Sequence, residues 1–257
     1  MISFTGDASA TGAISADGDI TFGGNADVAG VTSTSGVISF DGDAKATGAI
    51  SASGDITFGK NAIINEVTSQ NGAILVTGTT SANGNITSAK SQTFNGAFTL
   101  QSDVVLSAGT NTITFKDTVN GTHALTIGNN ANATNVTFEK SVGSTDVINS
   151  LFVKGNITAK ESISTTGNIV VGGTATITDV TSQNGVISVT GDATASGTIS
   201  VRGNISFGAN SIINEVTSSN GAISVGGTTS ATGAISAGGV ISFTGDATAS
   251  GTISASG

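Results

Sequence analysis

Apolar and polar residues alternate in short segments that recur every six residues along this chain. Residues 18–23 show the pattern, because Ile20 and Phe22 would share one side of an extended segment while Thr21 takes the other. Alternation with a period of two is typical of a β-strand that buries one face. A helix would need apolar residues three and four positions apart, and that spacing does not recur here. The pattern therefore predicts an all-β chain of short strands.

Glycine marks the boundaries between these segments. Of the sixteen six-residue modules that begin between residues 6 and 96, thirteen begin with Gly, and the exceptions begin with Lys60, Glu66 and Lys90. The same period resumes at Gly155 and runs to Gly257. A chain that turns sharply every six residues favours glycine at the turn, since glycine adopts backbone angles that other residues avoid. We therefore expect one strand per module.

A longer period groups the modules in threes. Two series of matching residues recur at every third module, namely Ile20, Ile38, Ile56 and Ile74, and Phe22, Phe40 and Phe58. If three six-residue strands make one coil, each series forms a ladder inside the protein and buries apolar area that a single coil could not. The sequence predicts a single-stranded β-solenoid without end caps, of about 14 coils and ~70 Å long at ~4.8 Å per coil.

A repeated motif relates the two ends of the chain. Residues 63–69 read IINEVTS and recur unchanged at 212–218. The offset of 149 residues is five more than eight coils of 18, so some coils between the two copies must be longer. The glycine period fails between residues 101 and 154. We therefore expect one continuous solenoid over 1–257, with regular coils at 1–100 and 155–257 and wider, irregular coils at 101–154.

Composition restricts the partners of the chain. The net charge of −9 and the sequence pI of about 4.2 disfavour nucleic acid, whose phosphates repel an acidic surface. No apolar run approaches the ~20 residues of a membrane-spanning helix, and residues 1–20 lack the basic and apolar regions of a signal peptide. We expect no nucleic-acid partner and no transmembrane segment. The absence of Cys leaves the redox compartment open.

Residues that could carry chemistry are sparse. His123 is the only His, which excludes a two-histidine metal site, and Arg202 is the only Arg. Glu66 and Glu215 occupy equivalent positions of the repeated motif, which favours a structural role. Acid–base catalysis needs titratable groups that converge on a cleft, and no motif of that kind is present. We therefore expect a protein that is not an enzyme, with no catalytic residue, no cofactor and no metal ligand.

Polar residues also recur at regular positions. Six aspartates directly follow a glycine: Asp7, Asp19, Asp43, Asp55, Asp192 and Asp246. We expect them to face solvent at the turns, where a ladder of carboxylates could bind calcium only loosely. Hydroxyl residues at every third module are expected to point outward and keep the rod soluble: Ser15, Ser33, Ser51, Ser69 and Thr87. Since ordered hydroxyl rows also occur on ice-binding solenoids, ice binding is an alternative.

The middle of the chain resembles the repeats of large bacterial surface proteins. Residues 91–96 read SQTFNG, 113–121 read ITFKDTVNG, 124–127 read ALTI and 136–143 read VTFEKSVG. This order resembles filamentous-haemagglutinin-type adhesins and related autotransporter passengers. The resemblance implies a right-handed β-helix, export, and a role in adhesion or surface structure, and it transfers no functional residues. Cytosolic bactofilin scaffolds share the coil size, and left-handed hexapeptide helices share the six-residue period.

The two ends of the chain are in phase with each other. Residues 1–6 would continue the pattern after Gly257, and they resemble residues 240–245. Because an open end coil offers strand edges that can bind another strand, we expect copies to associate head to tail. The contact would join Met1, Ile2 and Phe4 to Ile253 and Gly257. A segment cut from a longer array would show the same phase match.

These features favour a structural protein that forms an extracellular or cell-surface fibre by head-to-tail stacking. The alternative is a stalk segment of a large bacterial adhesin that presents a binding tip encoded elsewhere. An ice-binding or carbohydrate-binding solenoid is less favoured, because the sequence predicts neither a cleft nor a regular flat row of threonines.

Overall fold

The computed structural model describes residues 1–129 and 131–257. Parallel strands stack about 18 residues apart and form a β-solenoid of about 14 turns. The prediction of an all-β solenoid is confirmed, although most modules contribute a three-residue strand and a turn rather than a six-residue strand. No helix capable of crossing a membrane occurs in these two described ranges.

The strands follow one another with short turns between them. The first regular part contains β1 (Ile2–Phe4), β2 (Ala8–Ala16), β3 (Ile20–Phe22), β4 (Ala26–Ser33), β5 (Ile38–Phe40), β6 (Ala44–Ala46), β7 (Ile50–Ala52), β8 (Ile56–Phe58), β9 (Ala62–Ile64), β10 (Val67–Ser69), β11 (Ile74–Val76), β12 (Thr80–Ala82), β13 (Ile86–Ser88), β14 (Gln92–Phe94) and β15 (Phe98–Leu100). The middle contains β16 (Val104–Ser107), β17 (Thr112–Phe115), β18 (Val119–Asn120), β19 (Ala124–Ile127), β20 (Asn135–Phe138) and β21 (Ser150–Val153). The last part contains β22 (Ile157–Ala159), β23 (Ile163–Thr165), β24 (Ile169–Val171), β25 (Ala175–Ile177), β26 (Val180–Ser182), β27 (Ile187–Val189), β28 (Ala193–Val201), β29 (Ile205–Phe207), β30 (Ser211–Ser218), β31 (Ile223–Val225), β32 (Thr229–Ala231), β33 (Ile235–Ala237), β34 (Ile241–Phe243), β35 (Ala247–Ala249) and β36 (Ile253–Ala255).

Each coil passes through three stacks of strands, which we call faces 1, 2 and 3 in the order in which the chain reaches them. Face 1 comprises β1, β3, β5, β8, β11, β14, β17, β20, β22, β25, the starts of β28 and β30, β32 and β35. Face 2 comprises the starts of β2 and β4, β6, β9, β12, β15, β18, a bridge at Val142, β23, β26, the ends of β28 and β30, β33 and β36. Face 3 comprises the ends of β2 and β4, β7, β10, β13, β16, β19, β21, β24, β27, β29, β31 and β34.

Stacked identical side chains fill the interior. On face 1, Ile20, Ile38, Ile56 and Ile74 lie over one another and are at most 1% exposed, which confirms the predicted isoleucine ladder. The predicted phenylalanine ladder is also present. The ring centroids of Phe22 and Phe40 are 4.7 Å apart, those of Phe40 and Phe58 are 5.0 Å apart, and the rings are nearly parallel. Each coil therefore supplies its neighbours with the apolar surface that a lone coil lacks.

The coils of the middle segment are larger than the others. The residues aligned along face 1 of this segment are, in order, Ile74, Gln92, Ile113, Val136, Ile157 and Ala175. The first and last of these steps have the regular length of a coil, whereas the three steps between Gln92 and Ile157 are each longer. At the start of the wide coils the Gln92 side chain is fully buried, and its Nε2 donates to the backbone carbonyls of Ile86 in the preceding coil and Ser107 in its own coil.

The repeated IINEVTS motif occupies a different face in each copy. Ile64 lies on face 2, aligned with Ala82, whereas its counterpart Ile213 lies on face 1, aligned with Ala195. The two copies are therefore separated by eight coils less one strand, and the wider middle coils supply the remaining residues. The large side chains change face as well. The Phe22 ladder is on face 1, and Phe207 and Phe243 lie on face 3.

Two of the serines that were predicted to face outward lie in the core, because the alternation of inward and outward residues is shifted by one position in their strands. The prediction that Ser33 and Ser69 point outward is wrong, since they are only 2% and 1% exposed. In β4, Val31 directly follows Gly30, one position earlier than the first inward residue of most modules, so every later side chain of the strand faces the other way. The outward row is Ser15, Thr32, Ser51, Thr68 and Thr87.

Candidate functional site

The first coil presents apolar side chains that internal coils cover. Its six inward residues are only partly buried: Ile2, Phe4, Ala8, Ala10, Ile14 and Ala16. One coil further along, Ile20 and Phe22 are completely buried. The difference arises because an internal coil has a neighbour on both sides, whereas the first coil has a neighbour on one side. This surface is the N-terminal end face.

The last coil presents a matching surface, the C-terminal end face. Ile241, Phe243 and Ala249 are partly buried, and Ile253 is 50% exposed. One coil earlier, the residue Ile223 that is aligned with Ile241 is only 1% exposed. The two end faces therefore expose the same kinds of side chain, on opposite ends of one rod.

Hydrogen bonds between neighbouring coils run in both directions. Ile2 N donates to Asp19 O at 2.8 Å, and Gly23 N donates to Phe4 O at 2.7 Å. Each coil therefore offers donors and acceptors on each of its two sides. Since the end coils use one side only, each end face carries a row of backbone groups suited to a further parallel strand.

The aspartates and asparagines at the turns bind the coils together. Asp7 Oδ1 accepts a hydrogen bond from Asn25 N at 2.8 Å, and Asn25 Oδ1 accepts one from Asp43 N at 3.0 Å. Asp43 and Asn61 extend this row by bonding the backbone N–H of the next coil at 3.1 and 2.9 Å. Each side chain thus satisfies an N–H group at the turn of the coil that follows it.

The other predicted turn aspartates inside the rod do the same. Asp19, Asp55 and Asp192 accept hydrogen bonds from Val37 N, Ala73 N and Asn210 N at 3.0, 2.8 and 3.0 Å. The expectation that these aspartates are exposed is confirmed, but sequence reasoning missed their bonds between coils. The recurrence of Asp or Asn at one module position was the available signal. Asp246 holds this position in the last coil, with no described coil above it.

The free space around the glycines shows which side of the first coil is open. A Cβ on Gly24 would lie 2.5 Å from the carbonyl carbon of Gly6 and from Asp7 N, so the coils approach too closely there for any side chain. A Cβ on Gly6 would meet no described atom within 4 Å. Gly6 occupies the module position at which Gly24 lies against the preceding coil, but no described coil lies on that side of Gly6.

The remaining residues singled out in the sequence do not converge. His123 Nδ1 lies 3.6 Å from Asp103 Oδ1, and Arg202 Nη1 donates to Asn184 at 3.2 Å, in different parts of the rod. Glu66 and Glu215 have exposed side chains at equivalent positions of the repeated motif. No group of three or more acidic, His or Cys side chains that could hold a metal occurs among the described residues.

A shallow groove runs along face 2 across the first four coils. Its lining includes three small inward residues, Ala8, Ala26 and Ala44. The groove contains one lysine, Lys45, whose Nζ is 3.0 Å from Asp27 Oδ2 and is therefore already paired. The arrangement offers no converging acid and base.

Ion pairs join adjacent coils of the middle segment. Lys140 Nζ donates to Glu161 Oε1 at 2.9 Å, and Ser141 Oγ donates to Glu161 Oε2 at 2.9 Å. The bond from Lys140, followed by that from Ser141, lowers the pKa of the Glu161 carboxyl. The same bond with Glu161 raises the pKa of the Lys140 ammonium. These groups fix neighbouring wide coils in register at the surface.

No protein-family model, no curated protein and no solved structure matches this chain.

Proposed function

We propose that the chain is a structural rod whose copies join head to tail into a fibre at the cell surface or outside the cell. The observation that carries the proposal is the pair of matching end faces. Phe4 and Ile253 are left partly exposed at positions where every internal coil buries its apolar side chain. The proposed role lies in shape and end-to-end contact rather than in catalysis.

The sequences of the two end coils support this proposal. Residues 1–18 and 240–257 differ only at five pairs of positions: Met1 and Val240, Ser9 and Thr248, Thr11 and Ser250, Ala13 and Thr252, and Asp17 and Ser256. Coils with nearly the same sequence have nearly the same outline. The first coil of one copy can therefore rest on the last coil of another much as adjacent coils rest on each other within the rod.

The energy of such a joint is moderate. Burying a large apolar side chain contributes about 1.5–3 kcal/mol, and the six large side chains of the two end faces are already partly buried, so together they contribute on the order of 5 kcal/mol. Additional hydrogen bonds contribute about 1 kcal/mol each. Association costs about 4–15 kcal/mol in lost freedom of motion. The joint should therefore depend on protein concentration.

The proposed surface location depends on the middle of the chain. Residues 113–121 and 136–143 resemble repeats of exported adhesins, which are long surface rods. A fibre of stacked solenoids would use the same architecture outside the cell.

Electron microscopy of the purified chain at rising concentration tests the proposal. We expect uniform filaments one solenoid wide, in which each copy of about 14 coils adds ~65–70 Å of length at ~4.8 Å per coil. Short dispersed rods at every concentration would contradict assembly by this chain.

A single substitution can block the joint between copies without disturbing the fold of each copy. Gly6→Ala should fold normally, because the added Cβ meets no described atom within 4 Å. In a filament the same Cβ should clash with the coil below, as a Cβ on Gly24 would at 2.5 Å within the chain, and filaments should not form. Ser3→Ala is the matched control, since Ser3 is exposed on the outer surface of the same coil.

A second candidate is a stalk segment of a larger adhesin. The phase match of residues 1–18 and 240–257 favours it too, because neighbouring coils of one long array would also match. This candidate predicts that the isolated chain remains monomeric and that Gly6→Ala changes nothing.

A further inference from the structure

The path of the chain determines which face a following strand would occupy. The chain visits faces 1, 2 and 3 in order, and its last strand, β36, lies on face 2. The next strand along the same path would therefore lie on face 3, above β34. In its own copy, however, β1 lies on face 1. A copy that continues the path must therefore turn relative to the copy below it.

The side chains of the end faces agree with this turned arrangement. On face 3 of the last coil, β34 carries Ile241 and Phe243, and β1 carries Ile2 and Phe4 in the same order. Stacking β1 on β34 puts Phe4 over Phe243 and leads β2 over β35 and β36, whose sequences match it. Without a turn, β1 would lie over β35, and Phe4 would face Ala249.

We propose that each copy in the fibre is rotated about the fibre axis by one of its three faces relative to the copy below it. Residue n of the upper copy then lies over residue n + 239 of the lower copy. This inference rests on the proposed function. After three such rotations, face 1 points again in its original direction. The fibre therefore has a rise of ~65–70 Å per copy but a full structural repeat of ~200 Å, at ~4.8 Å per coil.

The turned register continues two internal contacts across the joint. The rings of Phe4 and Phe22 stack with centroids 4.9 Å apart, and Phe243 would extend that stack by one ring below Phe4. Asp246 Oδ1 would accept a hydrogen bond from the backbone N–H of Asp7 in the next copy, as Asp7 accepts one from Asn25 N. Met1 of the next copy would also lie close to Gly257.

The exposed isoleucines of the repeated motif point to the same register. Ile63 is 47% exposed on face 2, and Ile212 is 60% exposed on face 1. They therefore lie on different sides of one copy. In the turned fibre, Ile63 of the next copy moves onto the side that carries Ile212. The surfaces around Ile212 of one copy and Ile63 of the next copy therefore lie on the same side of the fibre, before and after each joint.

Cysteine pairs can measure the register directly, because the chain has no natural Cys. We would combine Ser3→Cys with Ser242→Cys, Thr248→Cys or Ser254→Cys in three double variants. Ser242, Thr248 and Ser254 are the exposed central residues of the last strands on faces 3, 1 and 2. Adjacent strands ~4.8 Å apart are within the Cα separation of a disulfide, whereas residues at opposite ends of one rod are not.

Electron microscopy of the reduced variants would first establish that filaments form. On mild oxidation, we expect the Ser3 and Ser242 pair to give a ladder of covalent oligomers, and the other two pairs to stay monomeric on denaturing gels. Oligomers from the Thr248 or Ser254 pair instead would overturn the turned register and leave the fibre itself intact. If neither the variants nor the native chain form filaments, the proposed function fails and this inference fails with it.

Discussion

Ser69 and Ser218 are both buried and make the same two hydrogen bonds on different faces of the solenoid. Ser69 Oγ donates to Gly54 O at 2.8 Å and accepts from Gly72 N at 3.0 Å, and Ser218 makes the corresponding bonds at 2.7 and 3.0 Å. Ser69 ends β10 on face 3, whereas Ser218 ends β30 on face 2. The serine and the turn that it closes therefore form a local unit that occurs at two different corners of the coil.

Ser69→Ala should destabilise the rod by about 1–3 kcal/mol, because it leaves the buried N–H of Gly72 and the partly buried C=O of Gly54 without their Ser69 partner. Denaturant unfolding of purified monomer measures this change in free energy. Ser51→Ala is the control, since Ser51 lies on the outer surface of the neighbouring strand and should change the stability little. Equal effects of the two substitutions would refute a bonding role for Ser69.

Phe40→Ala should cost about 3–5 kcal/mol, since it opens a cavity between two stacked rings. Phe40 is 1% exposed, with ring centroids 4.7 and 5.0 Å from those of Phe22 and Phe58. Phe152→Ala deletes the same group from a side chain that points outward from β21. Thermal unfolding should show a much larger loss for Phe40, and a similar loss for both would contradict the ladder.

Asp246→Asn should lower the protein concentration at which filaments appear. In the turned joint the carboxylates of Asp246 and Asp7 stack on each other, whereas inside the rod Asp7 and Asp43 are separated by Asn25. Two like charges at ~4 Å repel by about 1 kcal/mol in water, which is a several-fold change in concentration. An asparagine keeps the acceptor, as Asn25 shows at 3.0 Å.

The first coil also carries Asp17, which Asp246→Asn leaves unchanged. Asp55→Asn is the control for Asp246→Asn, because it makes the same change of charge at an internal turn with the same type of bond. Sedimentation across a concentration series gives the comparison. A shift of equal size in both variants would point to net charge rather than to the joint.

The Lys140–Glu161 pair predicts a small dependence of stability on pH. The lowered pKa of Glu161 means that the bond stabilises the fold above the ordinary carboxyl pKa and is lost as the pH falls through the lowered value. Glu161→Gln should therefore lower the melting temperature slightly near neutral pH, and this difference should shrink as the pH falls below the ordinary carboxyl pKa and through the lowered pKa of Glu161. Because the pair is exposed, salt should weaken the effect. Glu215→Gln serves as a control outside this pair.

The regular six-residue pattern was sufficient to predict the solenoid and the Ile20 and Phe22 ladders. It failed at Ser33, because a shift of one residue after Gly30 inverts a strand without disturbing the glycine period. It also missed the change of face between Ile64 and Ile213. The length of a wide coil depends on how its residues are distributed among turns and strands, and glycine positions between 101 and 154 do not reveal that distribution.

The change of face also affects the mechanics of the rod. A solenoid that carried its stacked phenylalanine rings on one wall throughout would have the same asymmetry about its axis along its whole length. Here the rings of Phe22, Phe40 and Phe58 occupy one wall of the first half, and Phe207 and Phe243 occupy another wall of the second. The asymmetry about the axis therefore points in different directions in the two parts of the rod, and we expect any curvature that the rings favour to change direction between them.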